Sequence, residues 1–119
     1  MKKSSALNGV GLLFLFLSGA AAQDGVPSDY RKQAAKIILD RTNYKIRDAQ
    51  ISTLSNMWAG LLAGGNLPGV CVVIFRDNPF GRVVRDVWQI TFSGGKVATA
   101  SFANISCDNT SKFHEVLGR

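Results

Sequence analysis

Three arginines, Arg76, Arg82 and Arg85, fall in one short stretch of this sequence, with Phe80 between them and Trp88 just beyond. A guanidinium fork holds a phosphate or carboxylate through paired N–H bonds, and an exposed ring stacks on a base or a sugar face. Arg76, Phe80, Arg82 and Arg85 are therefore the candidate binding residues. The plainer alternative is a solvated hairpin loop, with Trp88 in the core and Asp77 and Asp86 neutralising the arginines as ordinary surface pairs.

Catalytic sets are incomplete. A small secreted ribonuclease is basic, of about this size, and places a general base, an arginine and a late histidine around a phosphate. Arg82 or Arg85 and the single histidine, His114, can fill two of those roles. The third is the difficulty: the only glutamate, Glu115, is the immediate neighbour of His114. Neighbours on a strand point to opposite faces and neighbours on a helix diverge by about 100°, so the pair does not share one phosphate. Asp86 is the substitute base if it lies in a cleft. There is no phosphate-binding Walker loop, no dinucleotide-binding glycine set and no justified Ser-His-Asp arrangement, so no cofactor is expected.

Cys71 and Cys107 are the only cysteines. In an oxidising compartment such a pair forms a disulfide. The lesser alternatives are a metal site, which lacks ligands because closed zinc sites want four, and a thiol paired with His114.

The compartment follows from the N-terminus. Residues 1–22 have a charged start at Lys2 and Lys3, an apolar run from Val10 to Leu17, and small residues ending at Ala20, Ala21 and Ala22, the order of a secretory signal peptide. The run is too short to cross a bilayer, which needs roughly 20 residues. Cleavage after Ala22 leaves Gln23 first, where a lipoprotein requires cysteine. The expected product is a soluble periplasmic or secreted protein with no membrane span after cleavage. Without Lys2 and Lys3, its net charge falls from +6 to about +4 at neutral pH. Residues 23–119 suffice for one small domain.

The elements that must position these residues are legible from periodicity. After a flexible lead, Ser28 caps a helix to Arg41 whose apolar side is Tyr30, Ala34, Ile37 and Ile38. Residues 44–52 alternate and then change phase, as a strand with a bulge near Asp48 does, with a second helix as the alternative. Residues 53–65 are ambiguous; Leu54, Met57, Trp58 and Leu61 fit a short helix ended by Gly64 and Gly65. Val70 to Phe75 is apolar without a gap, a strand covered on both faces. Val84, Trp88, Ile90 and Phe92 alternate with polar residues, with Asp86 the one misfit. Ala98, Ala100 and Phe102 form the last strand.

A two-residue turn at Gly94-Gly95 places Trp88 opposite Ser101. A three-residue loop with a bulge places Trp88 opposite Phe102, Ile90 opposite Ala100 and Phe92 opposite Ala98, and gives one apolar face. The expected fold is α+β, an N-terminal helix packed on a mainly antiparallel sheet of about four strands, with flexible ends and His114 in an exposed tail. In that sheet Cys107 reaches Cys71 only if the chain turns back after Phe102, with Asn104 supplying the turn.

Three stretches together resemble a group of short, uncharacterised exported bacterial proteins: Ile46 to Ser52; Cys71 with the apolar strand and Asn78-Pro79-Phe80-Gly81 after it; and Cys107 followed by Phe113 and Glu115. The resemblance implies an N-terminal helix before the first stretch and a loop at the second. It implies no activity. The leading expectation is an exported, non-enzymatic protein of the bacterial envelope that is structural or binds a protein or an anionic envelope component. A small basic nuclease acting on nucleic acid and a secreted inhibitor or immunity-type protein are the alternatives.

Overall fold

The computed structural model describes residues 25–118, so the expected signal peptide lies outside the described residues. Helix α1 (Tyr30–Arg41) precedes six strands, β1 (Ile46–Ser52), β2 (Ser55–Trp58), β3 (Asn66–Asp77), β4 (Val83–Ser93), β5 (Lys96–Phe102) and β6 (Thr110–Lys112), and a one-turn helix α2 (His114–Leu117) closes the chain. All pairings are antiparallel. The strand order is β5-β4-β3-β1-β6, and β2 also pairs with β3. The α+β class holds. The sheet has six strands rather than about four.

The two additional strands come from segments whose apolar period is weak. Residues 53–65 do not form the expected helix: Ser55–Trp58 extends along β3, and only Leu61–Ala63 takes a 3-10 turn. The long β3 decides this, because its first half would otherwise leave a row of backbone groups unpaired. Where β1 breaks before β2, the Ser52 hydroxyl accepts the Cys71 backbone N–H at 2.8 Å and donates to the Thr53 carbonyl. At the other end of the chain, β6 pairs with β1 and α2 folds under it, so residues 110–118 form part of the fold rather than a free tail.

One face of the sheet receives α1. Ala34, Ala35 and Ile38 meet Ala49 and Ile51, Val70, Val72 and Ile74, and Trp88, Ile90 and Phe92, with Phe113 and Val116 completing the cluster. The expected bulge sits between Ile46 and Asp48 and brings Ile46 and Ala49 to this same face. Ser28 does not cap α1. Asp29 holds that position without a side-chain cap bond, and its carboxylate instead accepts from the Gln33 amide at 3.0 Å. The lead is anchored too, since the Gly95 N–H donates to the Gly25 carbonyl at 2.9 Å.

The other face is covered by the chain after β5. Ala103 donates to the Val87 carbonyl, the chain turns back, and Cys107 joins Cys71 in a disulfide with Cα atoms 5.5 Å apart. Cys71, Val73 and Val87 pack there with Met57, Phe75, Ala103 and Cys107. The pairing of Trp88 with Phe102 and of Ile90 with Ala100 is as expected, but the turn is the two-residue Gly94-Gly95. The register shifts between Thr91 and Phe92 because β5 carries the extra residue, Ala98, so that Phe92 meets Val97 instead. Both turn glycines have positive φ, 61° and 79°, as the tight hairpin turn that fits strand twist requires.

Candidate functional site

The arginine loop is built on Asn78. Its carboxamide oxygen accepts the N–H of Phe80 at 3.0 Å and of Arg82 at 2.9 Å, while its own N–H donates to the Arg82 carbonyl at 2.7 Å. The loop is therefore ordered, and it projects the Phe80 ring into solvent. It does not gather the arginines. Arg76 lies on the helix-facing side of the sheet, Arg85 points to the opposite side as its strand parity demands, and Arg82 stays on the loop. Asp77 pairs with Arg47 at 2.8 and 3.1 Å rather than with a loop arginine. That hydrogen-bonded guanidinium holds the Asp77 carboxyl below the usual carboxylate range.

Only Arg76 of the four predicted residues enters a cleft. Helix α1 ends at Arg41, whose guanidinium donates to the Ala100 carbonyl at 2.8 Å and so ties the helix end to β5. Thr42, Asn43 and Tyr44 then descend to β1. Between this connection and the strands lies a cleft of about 150 Å³, walled by Tyr44, Trp88 and Phe102 and floored by Arg76 and Asp86. The Arg76 Nε donates to the Asp86 carboxylate, and its guanidinium lies 5.7 Å from the Tyr44 ring centre. The Trp88 and Phe102 rings are 4.4 Å apart and tilted.

Asp86, the misfit in an otherwise apolar strand face, thus has a physical reason: the face stops being core there and becomes the cleft floor. Tyr44, Arg41 and Phe102 were not among the predicted site residues. Their membership depends on the helix end crossing the sheet, which no local pattern encodes. Two guanidiniums face one carboxylate, so the cleft keeps an excess positive charge. Trp88 is only 3% exposed, and its indole N–H is the one buried side-chain polar atom without a hydrogen-bond partner among the described residues. Buried donors are nearly always paired, and leaving one unpaired costs about 1–3 kcal/mol.

The residues weighed for catalysis do not converge. Glu115 is held by Arg31 through two bonds of 2.8 and 2.9 Å, and Arg31 also donates to the Lys112 carbonyl. This pairing with Arg31 holds the Glu115 carboxyl below its ordinary range, the direction that makes a poor general base. Asp86 is committed to Arg76, and His114 does not line the cleft. A second cavity of about 260 Å³ lies beside the disulfide, lined by Ser52, Ser55, Ser106 and Asp108 among others. Among the described residues, no group of three or more His, Cys, Asp and Glu side chains is placed to hold a metal, and no helix is long and apolar enough to cross a membrane.

Compared with protein-family models, curated proteins and solved structures, the chain matches none.

Proposed function

We propose that this protein is exported and acts as a non-enzymatic binding protein of the bacterial cell envelope, with the α1–β5 cleft as its ligand site. The observation that carries the reading is a cleft that sets two arginines, one of them paired with a carboxylate, beside two exposed rings, with the side of Trp88 in its wall. A group with a negative charge for Arg76 and Arg41 and a flat face for Tyr44 or Phe102 fits that chemistry. An anionic sugar, carboxylated or phosphorylated, has both. The secretory-type leader and the disulfide support an oxidising compartment outside the cytoplasm.

The test is calorimetric titration with a hexuronic acid, a hexose phosphate and the matching neutral hexose. The acidic sugars bind and the neutral one does not, and Arg76→Met weakens binding about tenfold or more. Equal binding of the neutral sugar, or acidic-sugar binding unchanged in Arg76→Met, contradicts the site. The nuclease alternative is checked by the same protein on RNA, where no cleavage above a His114→Ala control is expected.

A further inference from the structure

The end of the sheet opposite the cleft carries no charge of its own along β2 and β3. No Asp, Glu, Lys, Arg or His occurs between Asp48 and Arg76, and the β2–β3 hairpin projects the middle of that stretch beyond the rest of the sheet. Its tip is apolar: Trp58 is 58% exposed, Leu61 83% and Leu62 106%. Leucines this exposed on an ordered turn contribute nothing to the fold, and their grouping is of the kind that marks an interaction surface.

The tip is internally bonded. Ala59 N–H donates to the Gly65 carbonyl at 2.8 Å, Gly65 N–H to Gly60 at 2.9 Å, and Ala63 and Gly64 to Gly60 and Leu61 at 3.2 Å. Gly60, Gly64 and Gly65 all take positive φ, which makes this tight closure possible. Four backbone amides are thereby satisfied inside the loop, which lowers the penalty for leaving water. Gly25, the first described residue, is held at the same end of the sheet. It is bonded to Gly95 in the β4–β5 turn, and that turn lies at the same end of the sheet as the hairpin tip by the β3–β4 register.

We infer that the Trp58–Leu61–Leu62 tip is a membrane-contacting wedge, which rests the domain on a lipid surface with the cleft directed away from it. A protruding tryptophan beside two leucines matches the lipid interface, where the ring sits at headgroup level and the aliphatic chains enter the acyl boundary. Because the tip is uncharged, attraction to anionic lipid is not the driving force. The contact is peripheral and depends on no helix crossing the bilayer.

The test uses vesicles of phosphatidylcholine, with and without admixed phosphatidylglycerol, and the protein both as full chain and as processed after export. The processed protein co-floats with both kinds of vesicle and does so equally in low and high salt. Leu61→Glu and Leu62→Glu each lower its partitioning about tenfold or more, with melting temperatures unchanged because both side chains project into solvent. Vesicles shift Trp58 emission to the blue, a change absent in Trp58→Phe. The inference is overturned if the processed protein stays behind, if Leu62→Glu partitions like wild type, if binding needs anionic lipid and disappears in salt, or if the tip drives self-association without lipid binding.

Discussion

Breaking the Cys71–Cys107 bridge by reduction is expected to lower stability by several kcal/mol. The two cysteines are separated by 36 residues, and closing a loop of that length removes roughly 13 cal/mol/K from the unfolded chain, about 3.8 kcal/mol at 25 °C. Each kcal/mol moves the melting temperature of a domain near this size by about 4–8 °C, so the reduced protein melts roughly 15–30 °C below the oxidised one. Calorimetry of oxidised protein and of reduced, alkylation-free protein held in a phosphine reads this difference. Cys71 is buried against Val73 and Val87, so the Cys71→Ala/Cys107→Ala pair adds a packing loss and melts lower still. A reduced protein that melts within about 5 °C of the oxidised form refutes the loop-entropy reasoning. It would mean that residues 103–109 are held on the sheet by their own contacts, with the bridge adding little.

Three further outcomes are expected. Gly69→Ala destabilises by about 1–3 kcal/mol in urea unfolding, because an added Cβ would come within 2.6 Å of the Ile90 carbonyl oxygen and 3.0 Å of Met57 and Thr91; wild-type stability would show that β3 and β4 shift apart freely. Ile38→Ala, at a fully buried position on α1, loses about 2–5 kcal/mol, and a smaller loss would mean that the helix rests loosely on the sheet. Glu115→Gln removes the pair with Arg31, in which both side chains are 29% exposed, and costs about 1 kcal/mol at neutral pH. Since the folded Glu115 pKa is depressed, that contribution is complete above the unfolded carboxyl value and is lost as pH falls through the lower folded one. The melting curves of wild type and Glu115→Gln therefore converge in acid. A difference that persists unchanged into acid contradicts the assigned role.

The central strands were legible because their side chains carry their own signal. The unbroken Val70 to Phe75 run marks a strand buried on both faces, and alternation from Val84 to Phe92 marks the next strand, although Val87 and Thr91 bury part of its second face as well. The bulge in β1 was legible for the same reason, since a phase change in alternation has few causes. β2 and β6 were not legible. Ser55–Trp58 and Thr110–Lys112 are short, largely exposed segments that are strands only because β3 and β1 offer unpaired edges. The β4–β5 hairpin shows how one correct register can follow from two constructions: the bulge lies beside Thr91 and Phe92, three residues from the tight glycine turn, while Trp88 still meets Phe102.

The candidate site was half legible. The sequence pointed to Arg76 and to the anomaly at Asp86, but it grouped Arg76 with Arg82 and Arg85, which strand parity and the loop send elsewhere. The partners that make Arg76 part of a cleft come from 59 residues' separation in one case, Arg41 to Ala100. Such contacts are set by how α1 crosses the sheet, and linear spacing does not record them. Asn78, whose carboxamide shapes the loop, is the kind of residue a turn signal identifies, though its role there is to order backbone rather than to bind.

The most direct measurement of the binding claim is the indole N–H resonance of Trp88, assigned with a Trp58→Phe variant, followed in nitrogen-15 labelled protein during titration with a hexuronic acid. The expected result is a saturable shift of that single resonance as the ligand seats against the Trp88 ring, abolished in Arg76→Met. An indole resonance that stays in place while the sugar binds elsewhere, or that does not respond at all, contradicts the cleft as the working site of this protein.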